Sequence, residues 1–199
     1  MKRLILVLAL LWPVSLLADF QAGMDAYKRG EYAKAYREWL PLAEQGDAKA
    51  QYRLGLLSAG DRRGVAKDEA AMLMWVRRAA DQDFSDAQWT LGNLYFYGPG
   101  GHVKIVKKDF AEALRWYRKA SEWGQAFAQE RLGDMYLRGW GVEFDPPQAF
   151  VWFSLSAANG NKFAKKKRDE LWRWVNDKQI AEARRLTQEW KPDTKREAK

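Results

Sequence analysis

One short phrase occurs three times along the chain, and this repetition constrains the fold more than any other feature. It reads AQYRLGLLSAG at 50–60, AQWTLGNLYFYG at 87–98 and AQERLGDMYLRG at 128–139. The first alanine of each copy and a degenerate fourth, Ala164, are separated by 37, 41 and 36 residues. Self-similarity at such a period is typical of solenoids, in which each unit buries its apolar face against the next. The sequence therefore predicts a repeat array, an architecture typical of interaction proteins.

Small and large residues recur at fixed offsets from these alanines. A glycine follows five residues later in the first three copies, and a tryptophan precedes the last three by twelve: Gly55, Gly92 and Gly133; Trp75, Trp116 and Trp152. Glycine inside a helix costs ~1 kcal/mol relative to alanine, so its recurrence indicates close approach of a neighbouring helix. The tryptophans and the small residues one turn further on share a helix face, which predicts a core of large rings over small neighbours. Trp39, one residue out of this register, is also expected in the core.

The pattern predicts helices throughout and contains no alternating apolar run long enough for a sheet. The expected ranges are 20–29, 32–45, 47–59, 67–82, 85–97, 109–123, 125–138, 147–159, 161–175 and 178–190. Pro146 and Pro147 suit a helix start, and Asn176 with Asp177 resembles a helix cap.

Over about residues 20–190 the pattern AQxxLGxxYxxG, then GV, then a D…A…W…A[AS]xxG helix resembles the Sel1-like repeat, a relative of the tetratricopeptide repeat. The resemblance implies an all-α fold, a right-handed α/α superhelical solenoid that serves as a protein-interaction scaffold without a cofactor. It divides 19–190 into an N-terminal unit (19–48), repeats at about 49–85, 86–126 and 127–162, and capping helices (163–190). Residues 191–199 are predicted to be a disordered polar tail.

The chain departs from the repeat pattern in two places. Ser58 stands where tyrosine is usual, and the second repeat carries an insertion within 99–108. The inserted segment is either a site of special behaviour or a tolerated surface loop.

The N-terminus has the layout of a secretory signal peptide. Lys2 and Arg3 precede an apolar stretch from Leu4 to Leu17, and Ala18 suits cleavage before Asp19. The stretch is shorter than the ~20 residues that span a membrane, although an uncleaved anchor is the alternative. We therefore expect a periplasmic or secreted protein with 1–18 removed. The chain has no Cys, so it has neither disulfides nor a cysteine for lipid attachment.

The excess positive charge lies at the C-terminal end. Residues 19–161 hold 19 basic and 19 acidic side chains, whereas 162–199 hold 13 basic and 7 acidic ones. Such localised charge suits an anionic partner, which in an exported protein means envelope lipid, polysaccharide or an acidic protein face rather than nucleic acid.

No catalytic or metal-binding pattern emerges. His102 is the only histidine and lies in the inserted loop, and Ser154 and Ser156 sit in no nucleophile motif. We therefore expect a non-enzyme with no metal, no cofactor and no small-molecule substrate; a hydrolase is the weakest hypothesis.

Candidate partner contacts come from tryptophans outside the repeating core and from the densest basic run. They are Trp123, Trp140, Trp174, Lys165, Lys166, Lys167 and Arg168. Trp172 and Trp174 are two residues apart, so on one helix we expect one to be buried and the other to be the contact. The favoured hypothesis is an exported adaptor that binds a protein on the concave face. The alternative is docking of the basic C-terminal unit on anionic lipid or polysaccharide.

Overall fold

A computed structural model describes residues 19–101 and 103–191, and this part of the chain is built of α-helices. In chain order they are α1 (Phe20–Lys28), α2 (Tyr32–Glu44), α3 (Ala48–Ser58), α4 (Glu69–Asp81), α5 (Ser85–Tyr97), α6 (Phe110–Glu122), α7 (Ala126–Arg138), α8 (Pro146–Ala158), α9 (Lys162–Glu170) and α10 (Asp177–Glu189). Short 3-10 turns occupy Gly98–Gly100 and Trp172–Trp174. The predicted signal peptide (1–18), His102 and the tail from residue 192 onward lie outside the described residues.

The helices form pairs, and the glycines of the repeat are the points of closest approach within each pair. A Cβ atom at Gly133 would lie 2.5 Å from the Phe153 ring, and one at Gly55 would lie 2.6 Å from Val76 Cγ2. Gly92 makes the same approach to the Tyr117 ring. The prediction that these glycines admit a neighbouring helix is confirmed. We call the space beside each of these glycines a glycine notch. The side chain that fills it belongs to the residue directly after the repeating tryptophan.

Trp39 occupies the position of the side chains that fill the later glycine notches, which explains why it lies one residue out of the tryptophan register. Its indole lies over Gly23 as the partner side chains lie over the later glycines, and its Nε1 donates to the Phe20 carbonyl at 3.1 Å. Trp39 is fully buried, which confirms the expected core position. Helices α1 and α2 are thus a pair of the same kind as those that follow.

The turn within each pair is built the same way three times. An aspartate caps the second helix, and its backbone amide donates to a carbonyl at the end of the first helix. These pairs are Asp68 with Ser58, Asp109 with Tyr95, and Asp145 with Tyr136, at 2.9, 2.8 and 2.9 Å. Because the side-chain cap satisfies a free amide at the helix start, each turn fixes where the second helix begins.

A buried glutamine joins each pair to the one before it. The Nε2 groups of Gln51, Gln88 and Gln129 donate to the carbonyls of Ala43, Ala80 and Ser121 at 3.0, 3.2 and 3.3 Å. These carbonyls lie in the last turn of the preceding helix, where backbone acceptors lack helical partners. The glutamine after each repeat alanine therefore fixes the stacking of successive pairs.

Apolar clusters fill the interfaces along the array. Trp75 and Trp116 are buried as expected, and Trp152 is half-buried against its neighbours. The inserted segment contributes to one of these clusters, because Val103 and Val106 are only 4% exposed. The segment is therefore packed onto the second repeat rather than lying loosely on its surface.

The last pair differs from the others. The predicted helix over 161–175 is wrong, since α9 ends at Glu170 and Val175 is extended. Asp169 occupies the register of the repeat glycine and is exposed. A carboxylate there cannot be buried under a neighbouring helix without a large desolvation cost. Helix α10 accordingly packs on α8 instead of along α9.

Candidate functional site

The odd-numbered helices share a surface that lies to one side of the glycine notches. On each helix, this surface consists of the residues six before, three before and one after the notch position. On a helix of 3.6 residues per turn, their directions around the helix axis are ~60–120° from that of the notch. With Tyr97 they define the odd-helix face of α3, α5, α7 and α9: Lys49, Tyr52, Leu56, Asp86, Trp89, Asn93, Tyr97, Phe127, Glu130, Asp134, Phe163, Lys166 and Glu170.

Direct contacts between successive odd helices show that this face is continuous. The Trp89 and Phe127 rings join α5 to α7 with centroids 6.0 Å apart. Arg131 reaches back from α7 to donate to the Tyr97 hydroxyl at 2.9 Å. The Tyr52 hydroxyl lies 3.3 Å from Thr90 Oγ1 and joins α3 to α5. The face is therefore held in one arrangement by side chains that belong to it or border it.

Large apolar rings on this face reach solvent. Phe127 is 52% exposed, Phe163 is 74% exposed and Tyr97 is 44% exposed, while Trp89 is half-buried. Phe127 and Phe163 occupy the same register in α7 and α9, directly before the repeat alanine. Exposed aromatic side chains in a fixed arrangement are the usual anchors of protein interfaces.

An ionic cluster lies at the C-terminal end of the face. Lys167 Nζ is 2.7 Å from Glu130 Oε1 and 2.8 Å from Asp134 Oδ2. Asn161 also donates to Glu130, at 2.7 Å. Burial opposes ionisation of Glu130, but the hydrogen bonds from Lys167 and Asn161 prevail and lower its pKa. The cluster ties α9 to α7, with the Glu130 carboxylate ionised.

A second polar contact supports the middle of the face from below. The buried Tyr117 hydroxyl donates to Asn93 Oδ1 at 2.8 Å. Burial raises the pKa of Tyr117, so the phenol stays protonated and acts as a donor. Asn93 is thereby held at the odd-helix face by the side chain that fills the Gly92 notch.

The tryptophans proposed as contacts lie elsewhere. Trp140 is half-buried, stacks on Phe110 with centroids 6.0 Å apart and meets Phe96 edge-on at 5.1 Å. Trp123 is half-buried at the C-terminal end of α6. Neither belongs to the odd-helix face as defined, and their role in partner binding stays a prediction.

The expectation that one of Trp172 and Trp174 is buried is wrong, whereas the contact role of Trp174 stays a prediction. They are 46% and 55% exposed, because they belong to a short 3-10 turn after α9 rather than to the helix itself. Trp172 meets Phe150 edge-on, and Trp174 meets Phe144 in the same way. Neither ring is buried.

The basic run is divided among different environments. Lys167 points to the Glu130 carboxylate, and Arg168 is bound to Asp169 at 2.6 Å. Lys165 and Lys166 are exposed. The four residues of the run therefore do not form the single cationic surface that the sequence suggested.

Phe127 and Phe163 were missed by sequence reasoning, although a signal was available. The position before the repeat alanine varies as Lys49, Asp86, Phe127 and Phe163. A position that faces away from the core and twice carries phenylalanine indicates an apolar surface.

In the described residues, neither the serines considered above nor any cluster of metal-ligating side chains supports a catalytic site. Ser154 Oγ donates to the Phe150 carbonyl, and Ser156 Oγ donates to the Ala126 carbonyl, at 2.8 and 2.7 Å. Both hydroxyls thus serve backbone acceptors. Within 19–101 and 103–191, no group of three or more His, Cys, Asp or Glu side chains could hold a metal ion. In the same ranges, the helices are too short or too polar to cross a membrane.

Comparisons with known proteins agree with this architecture. The Sel1 repeat family model matches residues 48–84, 85–123 and 126–161. A crystal structure of a Sel1 repeat protein from Oxalobacter formigenes is 30% identical, with a TM-score of 0.67, over 75% of this chain and 59% of that one. The structure of c5321, described as a protective antigen of uropathogenic Escherichia coli strains with an SLR fold, is 30% identical, with a TM-score of 0.55, over 86% of this chain and 44% of that one.

The chain thus spans about three fifths of the first protein and less than half of the second. The comparison with curated proteins gives no match. The three matched ranges together cover more than half of the chain, and the fold consists of stacked helix pairs. The chain belongs to the Sel1 repeat family, and its fold is an all-α repeat solenoid.

Proposed function

We propose that this protein is a scaffold that binds a protein partner on the odd-helix face. Sel1 repeats generally mediate protein–protein interaction, which supports a scaffold role. The observation that carries the proposal is a line of rings on three successive odd helices, namely the exposed Phe127 and Phe163 and the half-buried Trp89 that contacts Phe127. Such rings lose little conformational entropy on binding and bury a large area.

Curvature supports the choice of this face. Helices α5 and α7 contact each other directly. In a curved stack the elements on the inner side lie closer together, and repeat proteins present extended concave surfaces to their partners. The odd-helix face is therefore the one we assign to the concave side.

The test is a quantitative crosslinking pull-down from the native cell with three baits. They are the unaltered protein, Phe127→Ala/Phe163→Ala, and Phe144→Ala as the matched control. Phe144 is 54% exposed, close to the 52% of Phe127, but lies off the face. A partner that is retained by the first and third baits and lost from the second supports the proposal. Equal capture by all three baits would overturn it.

Export is part of the proposal. It rests first on the charged start and the apolar stretch before Ala18. It rests second on a cleavage point that keeps Asp19, which caps α1 with a carboxylate that accepts from the Gln21 backbone amide at 2.8 Å. Mass spectrometry of the protein from its own cell tests it. A chain beginning at or near Asp19 is expected, and a chain that retains Leu4–Leu17 would contradict cleavage.

The alternative, docking on anionic envelope lipid or polysaccharide, rests on Lys165 and Lys166, the exposed members of the basic run. Exposed charges are screened beyond ~8–10 Å at physiological ionic strength. Binding to anionic phospholipid vesicles should then fall steeply between low and moderate salt and be lost in Lys165→Ala/Lys166→Ala. Binding that is indifferent to salt would count against this alternative.

A further inference from the structure

The irregular last helix pair leaves a groove between helices that do not pack along each other. In the earlier pairs the notch glycine admits the second helix, whereas Asp169 stands at this position in α9. Helix α10 turns away and packs on α8, so a groove of about 390 Å³ remains between α8, α9 and α10. Its volume lies within the range of ~300–1,000 Å³ that is usual for ligand sites.

The lining of this groove combines an apolar floor with cationic walls. Phe150, Ile180 and Trp172 supply apolar surface, and the Trp172 ring meets Phe150 edge-on with centroids 5.6 Å apart. The walls carry Lys165 and Arg168 on one side and Arg184 on the other. Among the described residues, no Asp or Glu lines the groove.

Three acidic residues next to the groove are each bound by an arginine. Asp169 accepts from Arg168 at 2.6 Å, outside the lining. On α10, Glu182 and Glu189 both accept from Arg185, and none of these three residues lines the groove. Lys165 and Arg184 are exposed at the two walls, so their charges face an occupant from both sides.

We propose that this groove binds a short acidic peptide segment of a protein partner, with apolar side chains on the floor and carboxylates at the two walls. Charge complementarity selects an anion, and the apolar floor selects a chain that carries large side chains as well. The amide of Gln188 can donate to and accept from a peptide backbone, and the Thr187 hydroxyl, whose proton goes to the Ala183 carbonyl at 2.7 Å, can still accept. This site is separate from the odd-helix face and does not depend on the function proposed for it.

The test measures direct binding of a fluorescein-labelled ten-residue peptide of alternating glutamate and leucine by fluorescence anisotropy. Two control peptides replace all glutamates by glutamine or all leucines by serine. The alternating peptide is expected to bind, and both controls are expected to bind at least about fivefold more weakly, since each loses one of the two kinds of contact. Equal binding of all three peptides would overturn the proposal.

Neighbouring residues provide matched variants. Lys165→Glu and Lys166→Glu change the net charge equally on one helix, but only Lys165 lines the groove. Trp172→Ala and Trp174→Ala remove exposed rings two residues apart, and only Trp172 lines the groove. Lys165→Glu and Trp172→Ala are expected to weaken peptide binding about fivefold or more, with less than about twofold change in their controls.

Circular dichroism of each variant verifies that the helices are intact. Equal losses in Lys165→Glu and Lys166→Glu would overturn the proposal, because the effect would then come from net charge or from the odd-helix face. Binding to anionic vesicles without binding to the peptide would overturn it too, since the groove would then serve a lipid.

Discussion

Replacing Gly133 by alanine tests the central packing argument, because the added Cβ would overlap a neighbouring side chain. It would lie 2.5, 2.6 and 2.8 Å from three atoms of the Phe153 ring. Phe153 is fully buried, so the ring cannot move into solvent. Overpacking of a tight core costs about 1–3 kcal/mol, and three close contacts place this case at about 2–3 kcal/mol.

A gain in helix propensity opposes this cost. Alanine is about 1 kcal/mol better than glycine inside a helix. The expected net loss in the free energy of unfolding is therefore about 1–2 kcal/mol, or about 2–8 °C in Tm for a chain of this size. Urea denaturation followed by far-ultraviolet circular dichroism measures it, with tryptophan fluorescence as a second probe of whether unfolding is cooperative.

Gly60→Ala is the matched control. No atom lies within 4 Å of a Cβ built at Gly60, and its φ is not in the left-handed region. This variant is expected to be neutral or up to about 1 kcal/mol more stable, because alanine restricts the unfolded chain. If Gly133→Ala also stabilises the protein, the reasoning that the glycines are steric notches is refuted.

A double-mutant cycle locates the clash. Phe153→Leu shortens the group that fills the notch, so the cost of Gly133→Ala should be smaller in that background. The expected coupling is about 0.5–3 kcal/mol, with the double variant more stable than the sum of the single changes requires. Strict additivity would mean that the cost arises elsewhere.

Three further outcomes are expected. Gln129→Leu should cost about 1–2 kcal/mol, because Gln129 donates to the Ser121 carbonyl and accepts from Asn159; urea denaturation measures this loss, and an unchanged stability would contradict it. Lys167→Met should cost about 2–3 kcal/mol at neutral pH, because two partly buried carboxylates lose their cation. The folded-state pKa of Glu130 is lowered, so its ion pair stabilises the protein above the unfolded pKa, near 4.5, and this stabilisation is lost as pH falls through the folded pKa. The Tm values of the unaltered protein and of Lys167→Met should therefore converge in acid. A Tm difference that does not change with pH would contradict this. Val106→Ser should cost about 1–3 kcal/mol, while Ile105→Ser, at a 51% exposed neighbour, should change stability by less than about 0.5 kcal/mol, as judged from Tm.

The regular part of the fold could be predicted because each residue type has one physical role at a fixed offset. Gly92 and Trp116 recur with their equivalents, so helix positions, pairing and much of the core follow from spacing alone. The glutamine after each repeat alanine was visible in the same phrase. Its role was not, since a hydrogen bond to a carbonyl eight residues earlier appears only when two helices have been stacked.

The irregular parts could not be predicted in this way. No glycine or proline between Lys162 and Val175 marks a helix end, and Asp169 at the glycine register gives no position for one. The end at Glu170 follows from the packing of α10 on α8, which is a tertiary choice. The surface roles of Trp172 and Trp174 depend on that end, so the error in their burial came with the error in the helix.

The C-terminal pair shows how a repeat array ends without exposing its core. Ile180 and Ala183 of α10 are buried against α8, whereas Arg185 binds Glu182 and Glu189 on the outer surface. A terminal repeat needs such a polar outer face because no further unit follows it. A closing pair with glycine at the notch would supply that face and also pack α10 along α9. Asp169 prevents this packing, and the groove is the consequence. Since capping alone does not require Asp169, the cationic groove that it leaves is the feature of this end that calls for a binding role.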